Sequence, residues 1–137
     1  MKLNDKYNFD PDFCELTHAQ SGEPGVVDMD DYQELALRTA GDHAINDPTY
    51  TAMGLNGEAG EFSEQVKHEH FHGHPADPDK KLKELGDIYW YLAAAAAKHG
   101  YKLSEIASAN VVKLARRYPD KFTAEASIAR ADGEELT

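Results

Sequence analysis

Ten consecutive apolar residues, Ile88 to Ala97, constrain this chain more than any other feature. A helix that is apolar all round has to be covered on several faces. The run is also well short of the 18 or so residues a membrane span requires. The turns before it have a dry side (Leu82, Leu85, Tyr89) and a polar side carrying Glu84 and Asp87. This pattern predicts a helix from about Asp79 to His99, with Gly100 as a left-handed cap. The alanines at its end let neighbouring helices approach closely.

Three more helices follow from spacing. Tyr32, Leu35, Ala36, Thr39, Ala40 and His43 make one stripe, predicting a helix from about Asp30 to Ala44, capped by Asp28 or Asp30 and stopped by Asn46-Asp47-Pro48. A second runs from about Thr49 to His70 on Ala52, Leu55, Ala59, Phe62 and Val66, ended by Gly73 and Pro75. A last one starts at Ser104, an N-cap residue, buries Leu103, Ile106, Ala107, Val111 and Leu114, and stops before Pro119. No strand pattern appears, so the fold class is all-α, a four-helix bundle-like architecture. Residues 1–27, with the loop 18–27, read as an N-terminal extension, 28–125 as the helical domain, and 126–137 as a C-terminal tail.

At 137 residues one compact domain is expected, with no metal or disulfide needed merely to fold. The single Cys14 makes no internal disulfide and the first residues lack an apolar leader segment, pointing to a cytoplasmic setting. A formal net charge of −11 argues against non-specific nucleic-acid binding, which needs a basic face.

The informative residues are carboxylates beside the core. Glu58 and Glu61 lie three apart on the second helix, with Glu58 close to the centre of the apolar stripe and Glu61 at its margin. Glu84 and Asp87 repeat that spacing on the third. Four such charges within roughly 5 Å would repel by several kcal/mol at an effective dielectric near 20, so a converged cluster requires a cation. Donors that are all oxygen select a hard ion, Mg²⁺ or Mn²⁺. Gly60 and Gly86, each just before the second carboxylate, read as room for helix contact or ligand. On the last helix Asn110, Lys113 and Arg117 form a polar ridge. Asn110 interrupts buried-type positions, which implies an internal partner, while Lys113 and Arg117 suit phosphate oxygens.

In order, GLNGEAGEFSEQVK, KKLKELGDIYWYLAAAA and NVVKLARRYPDKF resemble the MazG-like members of the all-α nucleoside triphosphate pyrophosphohydrolases over roughly residues 28 to 125. The resemblance implies Mg²⁺-dependent hydrolysis of a nucleoside triphosphate to monophosphate and pyrophosphate, in a homodimer or a tetramer of dimers. It implies Glu58, Glu61, Glu84 and Asp87 as metal ligands, and Lys113 and Arg117 at phosphates with Asn110 beside them. Lys80, one turn before Glu84, is a further phosphate candidate. Glu61 is the expected general base, because it lies further from the core than Glu58.

Two other readings compete. HEHFH (68–72) satisfies the zinc-protease pattern, with His68 and His72 as ligands and Glu69 as base. His70 and His74 make the segment a local histidine cluster, but Gly73 and Pro75 follow at once and no clear third ligand does. A loop that picks up transition metals is thus favoured over catalysis, and a plain solvated loop over both. A di-iron bundle fails for want of a second E-x-x-H. A non-catalytic acidic interaction module would explain the stripes and charge but not the doubled carboxylate pairs.

Overall fold

The computed structural model describes residues 28–129, and every regular element among them is helical: α1 Met29–Leu37, α2 Asp42–Asn46, α3 Pro48–Phe71, α4 Pro78–Lys98, α5 Leu103–Arg117 and α6 Ala124–Ala129. None of these helices is long and apolar enough to cross a membrane. The loop expected at 18–27 and Cys14 lie outside the described residues, as does the tail beyond Ala129.

Local chemistry sets the boundaries. Asp28 caps α1 by accepting from the Asp30 N–H at 2.9 Å. Asp47 and Asp77 cap α3 and α4 in the same way, each ahead of a proline whose missing N–H is harmless in the first turn. Gly73 (φ 70°) and Gly100 (φ 78°) take the left-handed conformation after α3 and α4. The single helix expected over 30–44 is broken at 38–41. Thr39 turns its hydroxyl to the Ala36 carbonyl at 2.7 Å, and the Trp90 indole N–H donates to Ala36 O and Thr39 Oγ1 at 3.1 and 2.9 Å. Tertiary bonds thus occupy the groups another helical turn would have used.

The largest interface is between α3 and α4, a helical hairpin closed by the 72–77 connection. The α1 helix packs on α4, and the core where they meet is small: Ala36, Ala93, Ala96 and Leu103, flanked by Tyr32, Tyr89, Trp90, Leu92 and Ile106. Tyr32 stacks on Tyr89 with ring centres 4.5 Å apart. The α5 helix attaches to α1 and, more thinly, to α4.

That attachment is polar and specific. The buried Gln33 amide donates to the carbonyls of Ala93 and Tyr101, both at 3.1 Å, and accepts from the Leu103 N–H at 3.2 Å. Asp30 accepts from Ser104 N at 3.0 Å and Ser104 Oγ at 2.8 Å. Side chains of α1 therefore satisfy two of the unpaired N–H groups that open α5. Ser104 is not the cap expected of it: Lys102 holds that position and its N–H donates to Glu105 at 2.9 Å.

Three apolar stripes differ from expectation. On α3, Ala52 and Ala59 are exposed, while Leu55, Phe62 and Val66 are half-buried. On α4 the first two turns are inverted: Glu84 is buried at 7% exposure, and the expected dry residues Leu82 and Leu85 face outward at about half exposure. On α5 only the first turns are covered, so Val111 and Leu114 are exposed. Among the described residues Leu82, Leu85, Val111 and Leu114 remain uncovered.

Gln33→Leu should destabilise the fold by about 2–4 kcal/mol, because it orphans backbone groups of α4 and α5 together; a urea midpoint checks this. Asp30 is held below the ordinary aspartate range, chiefly by the Ser104 N–H and then its hydroxyl. Its contribution is complete above the unfolded value and lost as pH falls through the lower folded one. Asp30→Ala should therefore melt below wild type at neutral pH, with the gap closing in acid.

Candidate metal centre

The α3–α4 hairpin sets the E-A-G-E segment of one helix against the E-L-G-D segment of the other. One carboxylate oxygen from each of Glu58, Glu84 and Asp87 lies within 4.8 Å of the other two. Glu84 is buried, Glu58 half-buried and Asp87 exposed, so the trio opens from the helix interface toward solvent. Burial pushes the Glu58 carboxyl up, and Asp87, Glu61 and Glu84 add to the shift in that order. Among the described residues no lysine or arginine pairs with any of the three.

Like charges about 5 Å apart repel by roughly 3 kcal/mol per pair at an effective dielectric near 20. Three acidic oxygens at that separation suit a hard divalent ion coordinated by oxygen, with water or substrate completing the shell. The donor set therefore fits a metal of the Mg²⁺ type. Glu61 stands apart from the trio: it is exposed, and it reaches the cluster only through its field on Glu58.

A tyrosine pair borders the cluster, and sequence reasoning passed over it. The Tyr91 ring lies against the backbone of Gly54, where an added Cβ would stand 2.0 Å from Tyr91 Cε1. Its ring centre is 6.0 Å from that of Tyr50. The hydrogen bond with Tyr50 raises the Tyr91 hydroxyl pKa most, followed by burial and the charges of Glu58 and Asp87. The available signal was spacing, since Gly54 lies one helical turn before Glu58 and Tyr91 one turn after Asp87. Gly60 and Gly86 play no such part: a Cβ at either meets nothing within 4 Å, so neither makes a close helix contact within the chain.

The basic residues are placed elsewhere. Asn110 and Lys113 line an apolar groove of about 460 Å³ with Met29, Tyr89, Leu103 and Ile106, and no carboxylate of the trio borders it. Asn110 is exposed, so the internal partner expected for it is not there. Among the described residues the hydrogen bonds that join α5 to α1 are made at its N-terminal end, away from Asn110. Arg117 is half-buried, its guanidinium 5.8 Å from the Tyr118 ring centre. Lys80 lines a second cavity with His68, Glu69, His74, Asp77 and Lys81.

The H-E-x-x-H segment ends its helix as expected, with Phe71 the last helical residue and His72 in the C-cap position. Glu69 is occupied by an ion pair with Lys81 and is not poised as a base. Within the histidine cluster His74 folds back to within 4.7 Å of His68, ring centre to ring centre.

The family model of the MazG nucleotide pyrophosphohydrolase domain matches residues 47–122, from the cap of α3 to the turn after α5. No curated protein and no solved structure matches the chain.

The two kinds of glycine should behave oppositely. Gly60→Ala should raise stability by up to about 1 kcal/mol through helix propensity alone. Gly54→Ala should lower it by about 1–2 kcal/mol by displacing Tyr91, and a Tyr91→Ala background should remove that penalty. Denaturant titration of the single and double variants reads both.

Proposed function

The chain belongs to the MazG nucleotide pyrophosphohydrolase family, and we propose that it hydrolyses a nucleoside or deoxynucleoside triphosphate at the α–β phosphoanhydride with Mg²⁺ at Glu58, Glu84 and Asp87. Family membership implies the pyrophosphohydrolase chemistry. The observation that carries the metal assignment is the buried Glu84, gathered with two further carboxylates and, among the described residues, paired with no lysine or arginine. Mn²⁺ satisfies the same donors.

Water attacking phosphorus needs alignment and charge neutralisation more than covalent help. A divalent ion in the trio supplies the positive charge that lets an anionic triphosphate approach an acidic surface and makes a bound water more acidic. Glu58, Glu84 and Asp87 orient that charge. Glu61, three residues beyond Glu58 and outside the trio, takes the proton of the attacking water. The Tyr50–Tyr91 pair keeps the inner edge of the cluster rigid.

Phosphate oxygens fall to Lys113 and Arg117, with Asn110 beside them and Lys80 as a further cation. One chain does not bring the α5 ridge to the trio, and its apolar stripes are uncovered at Leu82, Leu85, Val111 and Leu114. A homodimer, or a tetramer of dimers, answers both deficits. The reading carries a cytoplasmic location with it, since that is where nucleoside triphosphates are abundant.

The test is a panel of nucleoside and deoxynucleoside triphosphates with Mg²⁺, resolving monophosphate from diphosphate products. Monophosphate with pyrophosphate is expected, and diphosphate with inorganic phosphate would overturn the reading. EDTA should abolish turnover. Glu84→Gln and Glu61→Gln should each lower kcat by at least about a hundredfold while helical circular dichroism is unchanged. Full activity in both variants would overturn the site assignment.

A further inference from the structure

The end of α3 gathers a second set of ligating side chains that triphosphate hydrolysis does not use. His68 and His72 are four residues apart on one face, with ring centres 5.1 Å apart. Gly73, at φ 70°, reverses the chain, and the His74 N–H returns to the His68 carbonyl at 3.2 Å. That turn sets the His74 ring 4.7 Å from His68 and 6.4 Å from His72. Three imidazoles are thus brought together by backbone geometry rather than by bonds among themselves.

Two of these three spacings suit shared coordination, and the third, His72 to His74, is wider. With metal–nitrogen bonds of about 2.0–2.1 Å, two imidazoles on a tetrahedral ion have ring centres about 5 Å apart. The widest separation, His72 to His74, joins two exposed side chains, so binding would draw their imidazoles together by side-chain rotation. Glu64 Oε1 stands 3.8 Å from His68 Nε2 while accepting from Lys67 Nζ at 3.1 Å, so the carboxylate beside this imidazole is already paired. Lys80 and Lys81 border the adjacent cavity of about 210 Å³, but Glu69 pairs with Lys81 and Asp77 lines the same space.

We propose that His68, His72 and His74 bind one borderline transition-metal dication of the Zn²⁺ or Cu²⁺ class, at a site distinct from the carboxylate trio. Ten residues of α3 separate His68 from Glu58, about 15 Å along the helix at about 1.5 Å per residue. The two centres differ in ligand type as well as place. Imidazole nitrogen selects copper, zinc and nickel, whereas carboxylate oxygen selects magnesium and manganese. With Glu69 held by Lys81, the second site binds metal and does not perform zinc-protease chemistry.

Cu²⁺ added stoichiometrically to the full-length protein, read by electron paramagnetic resonance and calorimetry, tests this without any measurement of turnover. The expected result is one Cu²⁺ per chain with coupling to several nitrogens. His72→Ala and His74→Ala should each weaken binding by at least about tenfold and reduce the nitrogen coupling. Glu58→Gln should leave the signal unchanged. Both histidines are exposed beyond the last helical residue of α3, and thermal melts confirm that the variants fold. A nitrogen-coupled signal that survives at full affinity in the His72→Ala, His74→Ala double variant would overturn the proposal by locating copper at other histidines. So would the absence of nitrogen coupling in the wild type.

Discussion

Repulsion among Glu58, Glu84 and Asp87 is the constraint around which this fold is arranged. A helical hairpin normally turns its apolar sides together, and α4 has an apolar side available in Leu82 and Leu85. The α3–α4 interface instead encloses Glu84 and turns those leucines outward. Burying a carboxylate is less favourable than burying a leucine, so the raised Glu58 carboxyl and the proposed cation among the three oxygens would each relieve the arrangement. Structure and chemistry are linked at this point: the hairpin gives up core to build a charge-binding cleft.

The consequence is a thin core inside one chain. Its fully covered apolar residues are mostly alanines, which bury little area each. Part of the deficit is met by hydrogen bonds that join distant segments. Gln33 and Asp30 on α1 hold the start of α5, and Trp90 holds the end of α1. These bonds hold α5 at its N-terminus, while Val111 and Leu114 further along it are exposed. Among the described residues Glu84 takes an interior position while Leu82, Leu85, Val111 and Leu114 stay uncovered, and the proposed oligomer would cover them.

Much of this was legible beforehand. The caps Asp28 and Gly100, the stops around Pro48 and Pro119, and the position of Glu58 near the centre of its stripe are local facts, set by proline, glycine and a period of 3.6 residues. The rotation of α4 was not. Its early turns have two faces, and periodicity says that they differ without saying which one meets α3. Knowing that Glu84 and not Leu85 points inward requires knowing what α3 presents, namely Glu58 in the matching position. The break at 38–41 was hidden for a similar reason, since the groups that end α1 belong to Trp90, more than fifty residues later. The glycine that mattered, Gly54, is recognisable only beside Tyr91.

The same distinction separates the two candidate metal sites. The carboxylate trio draws on both helices of the hairpin, so it exists only when the hairpin is folded, and any ion it binds stabilises that packing by linkage. The three histidines come from seven consecutive residues and depend on one helix end and one left-handed glycine. Such a local site survives partial loosening of the bundle, and its ion would hold the last turn of α3 and the connection to α4 in place. In a chain of net charge −11 whose family acts on polyanions, the two ions would act differently. An ion at the trio would offset carboxylate charge, whereas an ion at the histidines would be held by imidazoles beside acids that are already paired, and both sites lie on the α3–α4 hairpin.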